Sequence, residues 1–239
     1  MSDTPDPDRL PPARQRSLAA RWGQFLLAMA CFGFAIALMI RSGLGLGPWD
    51  AFHTGLAGLT GITIGQASVV AGLVVLLGSM AMGVRPGVGT IANMFLVGVA
   101  VDVILPLVPA PTALGEGILW RGAYYAVGIA GAGFGTGMYI AAALGAGPRD
   151  GLMVAVSRRM GWPVRRVRTM LEASVLAAGW AMGGKLGIGT VAFVAGIGPV
   201  TQWGMQHFGL VGAGGAANAH AARGRECDDD PETRASRAA

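Results

Sequence analysis

Six long apolar stretches alternate with short polar or glycine-rich breaks. They run from Trp22 to Ile40, Ile64 to Gly83, Gly89 to Val108, Arg121 to Ala143, Val164 to Gly183 and Gly189 to Phe208. Each is near the roughly 20 residues that a helix needs to cross a bilayer. The fifth opens on Arg165, Arg166 and Arg168 and is the least apolar at its start. A secretory signal would have a shorter apolar core followed by a small-residue cleavage site, so the first stretch reads as a resident helix. Residues 1–20, rich in proline and arginine, and residues 209–239, polar and carrying Asp228 to Asp230, read as disordered cytoplasmic tails.

The pattern repeats. Shifted by 100 residues, the chain matches itself without a gap. Leu44-Gly45-Leu46-Gly47-Pro48-Trp49-Asp50 falls on Leu144-Gly145-Ala146-Gly147-Pro148-Arg149-Asp150, and Gly87-Val88-Gly89-Thr90 on Gly187-Ile188-Gly189-Thr190. Between Arg21 and Asp102, 21 of 82 positions are identical to their mates. Their clustering at Gly-x-Gly-Pro-x-Asp and Gly-x-Gly-Thr marks an internal duplication. The predicted organisation is a first membrane repeat over 21–108, an outer linker over 109–120 and a second repeat over 121–208.

Each repeat reads as a long helix, a Gly-Pro break, a short helix and two more long helices. Pro48 and Pro148 suit the first turn of a helix, where a missing N–H does no harm. Asp50 and Asp150 then fall where a carboxylate meets free N–H groups and the positive end of the helix dipole. Gly61 and Gly161 can end the short helix in a left-handed cap. Thr63 with Gln66 resembles a capping box, and Thr90 and Thr190 are expected N-caps. The short helix is too short to span at about 1.5 Å per residue. Three crossings per repeat make the second repeat inverted relative to the first. The predicted fold is therefore an all-α membrane protein of about six transmembrane helices in two inverted three-helix repeats.

Charge tests this arrangement. With the N-terminus inside, 15 of the 18 Lys and Arg residues lie on the inner side, and only Arg41, Arg121 and Lys185 lie outside. That is the bias of the positive-inside rule, and it places both termini in the cytoplasm. Composition agrees: 53 % of residues are hydrophobic, 13 % are charged, and mean hydropathy is +0.53. Soluble domains usually carry about 25 % charged residues. The net charge of +5 sits between apolar runs and in the tails, which argues against a nucleic-acid face. Cys31 and Cys227 form no zinc spacing or disulfide framework, and His53, His207 and His220 form no ligand cluster. No metal, cofactor or catalytic residue is expected. There is no P-loop, no Ser-His-Asp set and no convincing carboxylate pair, so the chain does not read as an enzyme.

The residues with chemistry to offer are few. Asp50 and Asp150 follow the Gly47-Pro48 and Gly147-Pro148 breaks, and broken helices build substrate sites in inverted-repeat transporters. Their bland alternative is helix capping worth about 1 kcal/mol. His53 shares a face with Asp50, but its mate is Met153; a lone histidine is more often structural. Asp102 and Glu172 are intramembrane carboxylates and therefore functional candidates by default. Arg168, four residues before Glu172, can neutralise it, and Asp102 can reach the outer interface. Asn93 can bond between helices. The ladder Gly128, Gly131, Gly133, Gly135 and Gly137 reads as close packing within the chain, with a homodimer face as the alternative.

These motifs resemble the YczE/YitT group of bacterial multi-pass membrane proteins. The likeness lies in Leu44 to Asp50, Gly61 with Gly65, Asp102, Gly147 to Asp150, Arg168 with Glu172, and Gly183-Gly184 through Thr190 to Gly198-Pro199. It spans about Arg21 to Phe208 and is closer on the YczE side. It implies a plasma-membrane location and brings no catalytic residues. The function expected is movement of a small solute or ion across the bilayer. The alternative is a non-catalytic accessory or assembly factor for another system.

Overall fold

The computed structural model describes residues 17–113, 117–145 and 147–210. Among them the chain is all-helical, with no strand. The helices are α1 (Leu18–Ser42), α2 (Pro48–Thr60), α3 (Ile64–Ala81), α4 (Val88–Ile104), α5 (Ile118–Ala141), α6 (Pro148–Met160), α7 (Val164–Ala181) and α8 (Ile188–His207). A 3-10 turn at Pro111–Ala113 lies between α4 and α5. Most of the two expected tails, residues 1–16 and 211–239, lies outside the described residues, as do 114–116 of the expected linker. The first helix starts inside the expected tail, because the Ser17 hydroxyl accepts the Ala20 N–H at 3.3 Å and caps it.

The helix starts recur at an offset of 100, and local chemistry accounts for them. Gly47 and Gly147 are extended N-cap residues, and Pro48 and Pro148 open α2 and α6. Gly61 (φ 73°) and Gly161 (φ 67°) close them in the left-handed region, where glycine avoids a Cβ clash. Thr63 and Gln66 form a reciprocal capping box at α3, with bonds of 3.1 and 3.0 Å. Two expectations need correction. Thr90 and Thr190 are not N-caps; Gly87 and Gly187 hold those positions, and the threonines are the third residues of α4 and α8. The Gly-x-Gly-Thr stretch turns into helix earlier than expected. The Thr190 hydroxyl instead reaches back and accepts the Gly187 N–H at 3.2 Å.

α1 and α5 form the centre and run antiparallel. At one end, Arg21 Nε donates to the Ala142 carbonyl at 2.9 Å and Gln24 Nε2 to that of Met138 at 2.8 Å. At the other end, Gly43 lies against the Arg121 guanidinium. The glycine ladder of α5 is consumed inside the chain. A Cβ on Gly128 would strike Met39 of α1, and one on Gly133 would lie 2.5 Å from Val200 of α8. Gly137 and Gly204 bring α5 and α8 into backbone contact.

Each half also borrows from the other. The Leu44 carbonyl accepts the Gly189 N–H at 2.8 Å, and its mate Leu144 accepts the Gly89 N–H at 3.0 Å. Helix α2 packs on α7, with Gly55 and Gly179 at the contact, and α6 packs on α3 through Gly151, Leu152 and Ser79. The short helices therefore lock the two halves together.

The polarity of the surface is inverted relative to a soluble globule. Val74 (66 % exposed), Val99, Val103, Val191 (69 %) and Trp180 face outward, while Asp50, His53, Ser42 and Ser79 are buried. An apolar surface of this extent needs an apolar partner. Two helices, Leu18–Ser42 and Ile64–Ala81, are long and apolar enough to cross a membrane, and Val88–Ile104 is a shorter apolar helix. Helices α2 and α6, at 13 residues each, reach about 20 Å, short of the roughly 30 Å hydrocarbon layer.

Candidate functional site

The N-terminal ends of α2 and α6 meet at a cavity of about 380 Å³ near the centre of the molecule. Both Gly-Pro breaks line it. The free N–H groups and the positive dipole ends of two short helices are thereby aimed at one space. Asp50 and Asp150, each in the first turn of its helix, line that space as well.

Residues 49 and 149 occupy the same place in the two halves, and across the interface they touch. The Arg149 guanidinium carbon lies 4.3 Å from the centre of the Trp49 ring, a cation–π contact. Two arginines there would repel. One arginine against one tryptophan attracts. The carboxylates of Asp50, Asp150 and Glu172 add Coulomb attraction on Arg149.

The two aspartates differ in surroundings. Asp50 is 8 % exposed, and among the described residues no hydrogen-bond donor reaches its carboxylate. Asp150 is more exposed and accepts the Tyr139 hydroxyl at 3.1 Å. Burying a carboxylate without a donor is costly; Asp50 is held there by the fold around it. His53, 4 % exposed, stands one turn beyond Asp50 between Trp49 and Phe52.

Asp50, Asp150, His53, Asn93, Arg168 and Glu172 all line this cavity, as do Gly47, Pro48, Gly147 and Pro148. Arg168 and Glu172 form the expected ion pair, with Nε to Oε1 at 2.9 Å. It is partly exposed, so its contribution is small. Asn93 Nδ2 meets the Met29 sulfur at 3.5 Å. Asp102 is not brought to the site. It receives the Thr63 hydroxyl at 2.5 Å and the Gly65 N–H at 2.8 Å, tying the start of α3 to the end of α4. Thr90 and Thr190 lie at the crossed contacts between the halves, away from the cavity lining.

The sequence reading missed Arg149, Trp49 and Tyr139, together with the hydroxyls of Ser68, Thr136 and Thr201 on the cavity wall. For Arg149 a signal was present: the one charged substitution inside the repeated Leu-Gly-x-Gly-Pro-x-Asp. Tyr139 carries no such signal, because only the fold sets it beside Asp150.

Comparison with known proteins gives a consistent result. The family model described as "Family of unknown function (DUF6198)" matches residues 19–206. A Bacillus subtilis protein named "Uncharacterized membrane protein YczE" is 36 % identical over 179 residues, covering 74 % of this chain and 81 % of that one. A Haemophilus influenzae "Uncharacterized protein" is 36 % identical over 178 residues, covering 74 % and 80 %. The Bacillus subtilis "Uncharacterized protein YyaS" is 25 % identical over 169 residues, covering 70 % and 84 %. No solved structure matches.

Proposed function

This chain belongs to the DUF6198 family of YczE-type membrane proteins, and we propose that it is a multi-pass plasma-membrane transporter moving a small solute or ion without covalent chemistry. The observation that carries the reading is the central cavity, walled by both short helices and holding Asp50 and Asp150. An accessory protein with a solid glycine-packed core would have no such space. In this reading α1, α3, α4, α5, α7 and α8 cross the bilayer, α2 and α6 enter without crossing, and both termini are cytoplasmic. The antiparallel α1 and α5 and the exchanged contacts at Leu44 and Leu144 support an inverted repeat. Rocking of the halves about α1 and α5 would then open the cavity to each side in turn.

The test uses single cysteines in a Cys31→Ser, Cys227→Ser background. Thr60→Cys and Thr112→Cys should react with an impermeant thiol reagent from outside, and Ser157→Cys only from inside. Ser68→Cys, on the cavity wall, should react from both sides. A position that is labelled from one side only marks a static pit and favours the accessory role. Labelling of Ser157→Cys in intact cells overturns the inverted topology.

A further inference from the structure

We propose that the cavity takes a small organic cation, an alkylamine or alkylguanidinium, and that Arg149 is a tethered stand-in for it; this deepens the transport reading and rests on it. Three carboxylates line the space, Asp50, Asp150 and Glu172, against two cations, Arg149 and Arg168. Arg168 is spent on Glu172 at 2.9 Å. That leaves two aspartates and one guanidinium. Helix N-termini alone favour an anion, but α2 and α6 each carry an aspartate in the first turn, which meets that charge.

Asp50 feels the charge of Arg149 through space but has no cation bonded to it among the described residues. It is more than nine-tenths buried, faces the cavity and receives no hydrogen bond among the described residues. Buried carboxylates normally have donors, and an ammonium or guanidinium supplies them with charge assistance. The Trp49 ring beside it is the best aromatic seat for a cation, and Arg149 already sits there at 4.3 Å. Arg149 itself makes no hydrogen bond among the described residues; it is held by the ring and by Coulomb attraction. A guanidinium so loosely held can be displaced. A cationic substrate would take the Trp49 face and the Asp50 oxygens and push Arg149 toward Asp150. On release, Arg149 would return and keep the emptied cavity from holding unbalanced carboxylates. Because Trp49 belongs to one half and Arg149 to the other, that exchange breaks and remakes a contact between the halves.

The test measures binding to the full chain in detergent by thermal stability and calorimetry. The probe is methylguanidinium, with methylurea as its neutral near-isostere and acetate as an anion. Methylguanidinium should raise the melting temperature of the wild-type protein in a saturable way, and methylurea should not. Asp50→Asn should weaken methylguanidinium binding at least tenfold. Arg149→Ala removes the tethered competitor and should tighten it by about as much. Equal responses to methylguanidinium and methylurea overturn the proposal, as does weaker binding to Arg149→Ala. Saturable stabilisation by acetate that needs Arg149 overturns it in favour of an anion site. If Arg149→Ala does not fold, the wild-type and Asp50→Asn comparison decides alone. Failure here, with Ser68→Cys still labelled from both sides, removes the cation and leaves transport standing; failure of both removes transport as well.

Discussion

Helix α3 lies tightly on α4, whereas α7 does not pack on α8 in the same way. The two pairs start at matching positions 100 residues apart, and the difference between them lies in particular side chains. In the first half, a Cβ added to Gly98 would sit 2.7 Å from the Gly65 carbonyl and 2.8 Å from Val69. Two glycines facing each other let the backbones touch. In the second half, Arg165 stands where Gly65 does, and Gly198 has nothing within 4 Å. A long charged side chain cannot enter such a seam, so α7 stands off. Asp102 adds a clasp to the first seam through Thr63 and Gly65. Its mate is Gln202, which is exposed, and α7 starts from Pro163 without a side-chain cap. One seam is sealed and the other is open, and the cavity lies beside the open one, walled by Arg168 and Glu172 of α7 and Phe193 and Thr201 of α8. Helices that start at matching positions 100 residues apart thus pack differently through a handful of side chains.

The sharpest way to break this comparison is to overfill each seam. Gly98→Leu should cost about 3 kcal/mol or more, since the backbone opposite cannot yield. Gly198→Leu should change stability by no more than about 0.5 kcal/mol. Melting temperatures in detergent compare the two; similar losses would mean that both seams are closed in solution. The next effect is the clasp. Asp102→Ala removes the acceptor of two bonds to a charged group and should cost about 1–3 kcal/mol, while Gln202→Ala should be near neutral. A neutral Asp102→Ala would return Asp102 to the list of transport candidates. The smallest effect belongs to the second half alone. A double-mutant cycle of Arg168→Gln and Glu172→Gln should give a coupling of about 0.3–1 kcal/mol, as suits a partly exposed i, i+4 pair. A coupling of several kcal/mol would mean that the pair is shielded from water and holds α7 in place.

Much of the fold was legible because its signals are local. Hydropathy gave the six long helices, Gly-Pro and the flanking glycines gave the two short ones, and Thr63 with Gln66 gave the start of α3. The candidate site was legible in part. Asp50 and Asp150 were found by their position after a break, and His53, Asn93, Arg168 and Glu172 prove to line the same space. Asp102 was left open between a functional role and the outer interface, because an acidic residue near a helix end reads the same whether it faces a cavity or caps a neighbouring helix. Thr90 and Thr190 were placed three helix positions too early, since a glycine three residues before each serves as the N-cap instead.

By itself the sequence determined the helices, their breaks and the recurrence of helix starts at an offset of 100, because helix length and helix ends are written in residue types at fixed spacing. Only the tertiary structure decided which copies meet. Trp49 and Arg149 are 100 residues apart and hold matching positions in the sequence, yet they touch because the short helices converge at the cavity. Tyr139 reaches Asp150, and Asp50 is left without a donor among the described residues, for the same reason. Contacts between distant segments depend on how helix faces pack, and that is set by the shapes of many side chains at once, not by any local pattern.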